Sequence, residues 1–265
     1  MAYYQHKDRR LHYQLFVNPK SDAPLVIYLH GLLMDNLSSG YFTFTHQLKD
    51  HAHILLYDLV GHGRSSMLKS GYGYEAHFED LQALVKVVQT EIGQQKLDIV
   101  LLGCSFGGAL ALYSAQLLSN LKSIVLLEGH LGSPTFISQL RADLSATGDN
   151  AESLIIKHFQ HWLHRGSERK KNRLMKRAEQ LIYESTLLND LRLERELEAR
   201  YIVPILFLYG EYSDAYDEAF ELYRVRQAEN QNNRDRFIKY PNRGHALLWE
   251  ETQAITQALC EWLNS

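Results

Sequence analysis

The most constraining feature of this chain is the run Gly103-Cys104-Ser105-Phe106-Gly107, followed by Gly108. Leu97-Asp-Ile-Val-Leu-Leu-Gly103 precedes it and reads as a strand buried on both faces. Residues 106–118 follow, apolar nearly all round, and predict a central buried helix. A GxSxG pattern alone recurs by chance. Between a buried strand and a buried helix it predicts a tight strand–helix turn. The glycines are needed because such a turn is too sharp for side chains at their positions. Ser105 is then raised above the sheet at a helix N-terminus, where backbone N–H groups favour developing negative charge.

The rest of the chain repeats that rhythm. Residues 24–30, 53–58, 123–128 and 203–209 are short apolar runs of the buried-strand kind, and 236–240 is a shorter last strand. Residues 75–92 carry Phe78, Leu81, Leu84, Val85, Val88 and Ile92 at helical spacing. Residues 215–228 and 246–263 also read as helices. Residues 9–17 alternate weakly, as an early antiparallel strand would. Strands alternating with helices predict an α/β fold with a mostly parallel, doubly wound sheet. Residues 131–199 contain helical stretches and no strand candidate. About seventy residues exceed an ordinary crossover, so they are expected to form a helical lid inserted into a single domain spanning 1–265.

Composition removes several function classes. The formal charge is −3, from 28 Lys plus Arg against 31 Asp plus Glu, so nucleic acid is not an expected partner. Cys104 and Cys260 lie far apart, which argues against a disulfide framework and for a reducing compartment. The opening residues lack the apolar core of a signal peptide, and no apolar run is long enough to span a bilayer. The expected location is therefore cytoplasmic. His158, His161 and His164 repeat every third residue, but no Cys or carboxylate motif accompanies them, so no metal site is expected.

A serine hydroxyl is a poor nucleophile near neutral pH and needs a base, for which His is the usual choice. Asn242-Arg243-Gly244-His245 lies between the last strand and the last helix. By itself His245 reads as a helix-capping surface residue, one of 13 histidines. After a serine elbow it becomes the favoured base. A third group should orient the imidazole and stabilise its protonated form. The candidate is Asp214, in Gly210-Glu211-Tyr212-Ser213-Asp214, which gives the order nucleophile, acid, base.

With these residues in place, the chain resembles the α/β-hydrolase superfamily over nearly its whole length. The resemblance rests on His30-Gly31, on Asp58-Leu-Val-Gly61-His62-Gly63-Arg64-Ser65, on the elbow, on Val203-Pro204…Gly210…Asp214, and on Gly244-His245. It implies a serine hydrolase whose oxyanion hole is made by the backbone N–H groups of Phe106 and Leu32. The acid of many members stands three residues after the glycine, where this chain has Ser213, with Asp214 one later. Asp217 remains an alternative. So does Glu128, at the end of the strand over 123–128, where some relatives carry the acid. Haloalkane dehalogenase and epoxide hydrolase chemistry is disfavoured, since such relatives carry Asp where this chain has Ser105.

The expected reaction is acyl transfer to water from a small-molecule carboxylic ester or thioester through an acyl-enzyme, with no cofactor. Residues 165–177 carry seven basic residues and one acidic one. They read as a solvated helix face or as a docking patch for an acidic carrier protein. Alternatives are a carrier-bound acyl thioesterase or lyase, and a non-catalytic small-molecule receptor of the same fold.

Overall fold

A computed structural model describes residues 2–20, 22–32, 36–68, 71–129, 203–229 and 234–265. The expected lid over 131–199, with its histidine series and basic run, lies outside the described residues.

Eight strands form one sheet: β1 (Ala2–His6), β2 (Arg9–Phe16), β3 (Leu25–Leu29), β4 (His53–Tyr57), β5 (Ile99–Cys104), β6 (Leu121–Leu127), β7 (Ile205–Gly210) and β8 (Arg236–Tyr240). Their order across the sheet is β1-β2-β4-β3-β5-β6-β7-β8. β1–β2 and β2–β4 pair antiparallel, and all later pairs are parallel. The parallel, doubly wound core is thus as expected. β1 is an addition. Its residues alternate between partly buried and exposed rather than apolar and polar, so it carries no strand signal of its own. It is held by register with β2, from Ala2 opposite Tyr13 to His6 opposite Arg9.

The helices among the described residues are α1 (Ser38–Phe42), α2 (Thr45–Leu48), α3 (Tyr74–Ile92), α4 (Phe106–Ala115), α5 (Tyr216–Ala228), α6 (Leu247–Glu250) and α7 (Thr252–Leu263). The stretch 246–263, expected as one helix, is broken at Glu251, whose backbone leaves the helical region. The Glu251 carboxylate is engaged there by the Arg243 guanidinium.

Period-two side-chain placement explains why the central strands are apolar throughout. Leu25, Ile27 and Leu29 of β3 join Ile99 and Leu101 of β5 in a core layer with Leu81 and Leu84 of α3 and Leu110 of α4. Val26 and Tyr28 of β3 and Val100 and Leu102 of β5 face the opposite layer, with Leu48, Leu248, Ile255 and Leu259. Each fully buried aliphatic side chain stabilises the fold by about 1.5–3 kcal/mol relative to exposure. The parallel strands therefore end along one edge on a rigid base, and the loops that hold the candidate residues leave from there.

Candidate active site

β5 runs out at Cys104 and α4 starts at Phe106, so Ser105 makes the whole turn, with φ 53° and ψ −120°. An L-residue rarely adopts that conformation, and surrounding structure must hold it. Two glycines allow the turn. A Cβ on Gly107 would overlap the Leu29 carbonyl, and one on Gly103 would overlap the Gly107 carbonyl. The elbow also ties into β6, since the Ser105 amide donates to the Leu127 carbonyl at 3.2 Å.

Strain at Ser105 turns its hydroxyl away from capping α4 and toward the other end of the chain. Its Oγ lies 2.9 Å from His245 Nε2. His245 stands in the loop between β8 and α6. That loop packs closely on the end of β7: the Tyr212 amide donates to the Arg243 carbonyl at 2.8 Å, and a Cβ on Gly210 would meet that carbonyl.

Two carboxylates face the other imidazole nitrogen. Glu128 Oε2 is 3.5 Å from His245 Nδ1 and Asp214 Oδ1 is 3.8 Å away. Their surroundings differ. The Glu128 side chain is 1% exposed and that of Asp214 is 61% exposed. Glu128 immediately follows β6 with φ 52°, a second strained residue. Its amide donates to the Leu208 carbonyl at 3.0 Å, and its Oε1 accepts from the Gly210 amide. Asp214 sits in the β7–α5 loop, where the Ser213 amide donates to the Gly210 carbonyl at 3.1 Å. Asp217 lies exposed in the first turn of α5.

Phe106 heads α4, where the first backbone N–H groups of a helix have no intrahelical acceptor. Leu32 follows Gly31 at the end of β3 and is partly buried. Two side chains hold the segments that flank Leu32 in sequence. His30 is fully buried, donates from Nδ1 to the Gly31 carbonyl at 2.7 Å and accepts from the Leu59 amide at Nε2, 2.9 Å. Asp58 accepts from the amides of Leu37 at 2.9 Å and Arg64 at 2.8 Å, and from His12 Nδ1 at 2.7 Å. The role of His12 is not anticipated from sequence. Its one signal is a polar ring in a buried position of β2, which demands a polar partner.

Burial moves several groups near the site. The Tyr209 phenol, buried and facing the Glu128 carboxylate, is pushed well above its ordinary range, and it donates to the Gly129 carbonyl at 2.7 Å. His77, buried against the Phe106 ring, is pushed down to about 3, first by burial and then by repulsion from His30 and Arg9.

A profile of the Alpha/beta hydrolase family matches residues 26–258, and the chain belongs to that family. It is similar to the AB hydrolase superfamily protein YisY of Bacillus subtilis (strain 168), 25% identical and covering 96% of this chain and 97% of that one. It also resembles the proline iminopeptidase PfmaB of Pestalotiopsis fici (strain W106-1 / CGMCC3.15140), 36% identical over 107 residues. That match spans 40% of this chain and about a third, 36%, of PfmaB. Among solved structures, an esterase of Exiguobacterium antarcticum superposes with a TM-score of 0.72 at 19% identity, covering 99% of each chain. Among the described residues, no helix is long and apolar enough to cross a membrane.

Proposed function

We propose that this protein is a serine hydrolase that cleaves a carboxylic ester or thioester of a small molecule. The observation that carries the reading is the 2.9 Å approach of Ser105 Oγ to His245 Nε2 across a strained elbow. Ser105 attacks the acyl carbonyl while His245 Nε2 accepts its proton. The N–H groups of Phe106 and Leu32 receive the oxyanion, which forms where the N-terminus of α4 favours negative charge. His245 then returns the proton to the leaving oxygen or sulfur. A water molecule deprotonated by the same nitrogen releases the acid. Asp214, the acid expected from sequence order, approaches Nδ1 to 3.8 Å, which supports reading it as a carboxylate that orients the imidazole. The esterase resemblance favours esters. The seven basic residues of 165–177 favour a thioester on an acidic carrier as the second reading.

The test is a panel of p-nitrophenyl esters and acyl thioesters of graded chain length, run with wild type and Ser105→Ala. The reading expects turnover that Ser105→Ala abolishes, and the preferred leaving group chooses between ester and thioester. Folded wild type that neither turns over the panel nor reacts with a fluorophosphonate at Ser105 is a binding protein instead.

A further inference from the structure

We propose that His245 is oriented by two carboxylates at once, the buried Glu128 and the exposed Asp214, with Glu128 carrying the larger share. The inference rests on the reading of Ser105 and His245 as the hydrolytic pair, and deepens it.

The geometry supports two positioning groups rather than one. Both carboxylates approach the same nitrogen, at 3.5 Å and 3.8 Å, from different parts of the fold: Glu128 from the end of β6 and Asp214 from the loop after β7. Glu128 is the better fixed. The Gly210 amide holds its Oε1, and its backbone is tied to Leu208 in a left-handed conformation. That leaves Oε2 buried, without a hydrogen bond among the described residues and facing Nδ1. A buried carboxylate oxygen in this position is stabilised by a donor or a positive charge. When His245 Nε2 takes the Ser105 proton, the imidazolium supplies both. The proton stays on His245, and neither carboxylate receives it. Asp214 adds a second attraction that water screens, because its side chain is mostly exposed.

The two groups partly substitute for one another, and that distinguishes the arrangement from a site with one acid. The experiment compares Glu128→Gln, Asp214→Asn and the double variant in p-nitrophenyl acetate hydrolysis. It also follows the low-field imidazole N–H proton of His245 by NMR. Gln retains an oxygen for the Gly210 amide, so Glu128→Gln tests charge rather than packing. Asp214→Asn changes an exposed side chain and leaves the fold intact. Asp214→Asn is expected to lower kcat by about 3- to 30-fold, and Glu128→Gln by about 100-fold or more, with KM changing little in either. The double variant should lose more than the product of the single losses. Each single variant should shift the low-field proton, and the double variant should remove it.

A collapse of about 10⁴-fold in Asp214→Asn alone would assign the whole task to Asp214 and overturn the proposal. So would an Asp214→Asn variant silent both alone and in the Glu128→Gln background. If Glu128→Gln does not fold, Asp214→Asn still decides by those limits, and Glu128→Asp, which shortens the reach to Nδ1, takes its place. Wild type without Ser105-dependent turnover would retire the hydrolase reading. The low-field proton would then still decide whether both carboxylates hold His245.

Discussion

The Ser105 hydroxyl and the His245 imidazole are 140 positions apart in the chain and 2.9 Å apart in space. The separation is closed by the sheet: β5 delivers Ser105, and the β8–α6 loop delivers His245 to the same edge. In the proposed reaction this hydroxyl loses its proton to the ring as it attacks. Ser105→Ala removes the proposed nucleophile and leaves the elbow backbone its shape. Turnover of the preferred ester should fall by about 10³-fold or more, with an unchanged circular dichroism spectrum. A variant that kept a tenth of wild-type turnover would show that the reaction does not pass through Ser105.

The elbow itself makes a second claim. Gly107 packs against the Leu29 carbonyl so closely that a methyl group has no room, and the obstacle is backbone. Relief requires α4 to move away from β3, where both are part of one core layer. Gly107→Ala should therefore destabilise the protein by about 1–3 kcal/mol or more, and displace Ser105 as well. Urea unfolding gives the first quantity, and the rate of fluorophosphonate labelling in folded protein the second. Wild-type values of both would mean that the turn is looser than its geometry.

Much of this was legible in the sequence because the signals were local. The apolar runs at 97–103 and 203–209 needed burial on both faces, and the glycines around Ser105 needed a sharp turn. Both follow from a few neighbouring residues. The partner of His245 was not legible in that way. Chain order points to Asp214, and Glu128 stands only as an alternative that the resemblance offers; what brings it near is that β6 and β7 are neighbours in register, Leu127 beside Leu208. Registry between strands separated by some eighty residues leaves no trace in a single sequence. β1 escaped for a different reason. It is an edge strand with little to bury, so its pairing with β2 defines it rather than any pattern of its own.

His77 predicts an acid weakness. It is 1% exposed, its Nε2 has no hydrogen bond among the described residues, and burial pushes its pKa down to about 3. In the unfolded chain it should titrate near 6.5. Between those values the unfolded state binds a proton that the folded state refuses, so stability rises with pH across that window. Its contribution is whole above about pH 6.5 and is lost as pH falls toward 3. His53, also lowered by burial, acts in the same direction. Urea midpoints measured from pH 7 to pH 4 should fall steadily. His77→Gln, which cannot take up a proton, should flatten that fall. An equal slope in both proteins would place the acid sensitivity elsewhere.

Asp58 carries the last prediction, because it ties together three segments, one of which begins five residues after Leu32, the residue expected to bind the oxyanion. One oxygen accepts from Leu37, just beyond the loop that contains Leu32. The other accepts from Arg64 and His12. Its side chain is 2% exposed, so water cannot replace these partners without opening the site. Asp58→Ala leaves two backbone amides and an imidazole with no acceptor, and each such loss costs about 1–3 kcal/mol. Thermal unfolding should show a loss of roughly 3 kcal/mol or more. Catalysis should suffer separately. A loosened Leu32 weakens a contact made only as the oxyanion forms, so in protein still folded at the assay temperature kcat should fall more than KM rises. If instead KM rises with kcat untouched, Asp58 shapes the substrate's binding site rather than the oxyanion loop.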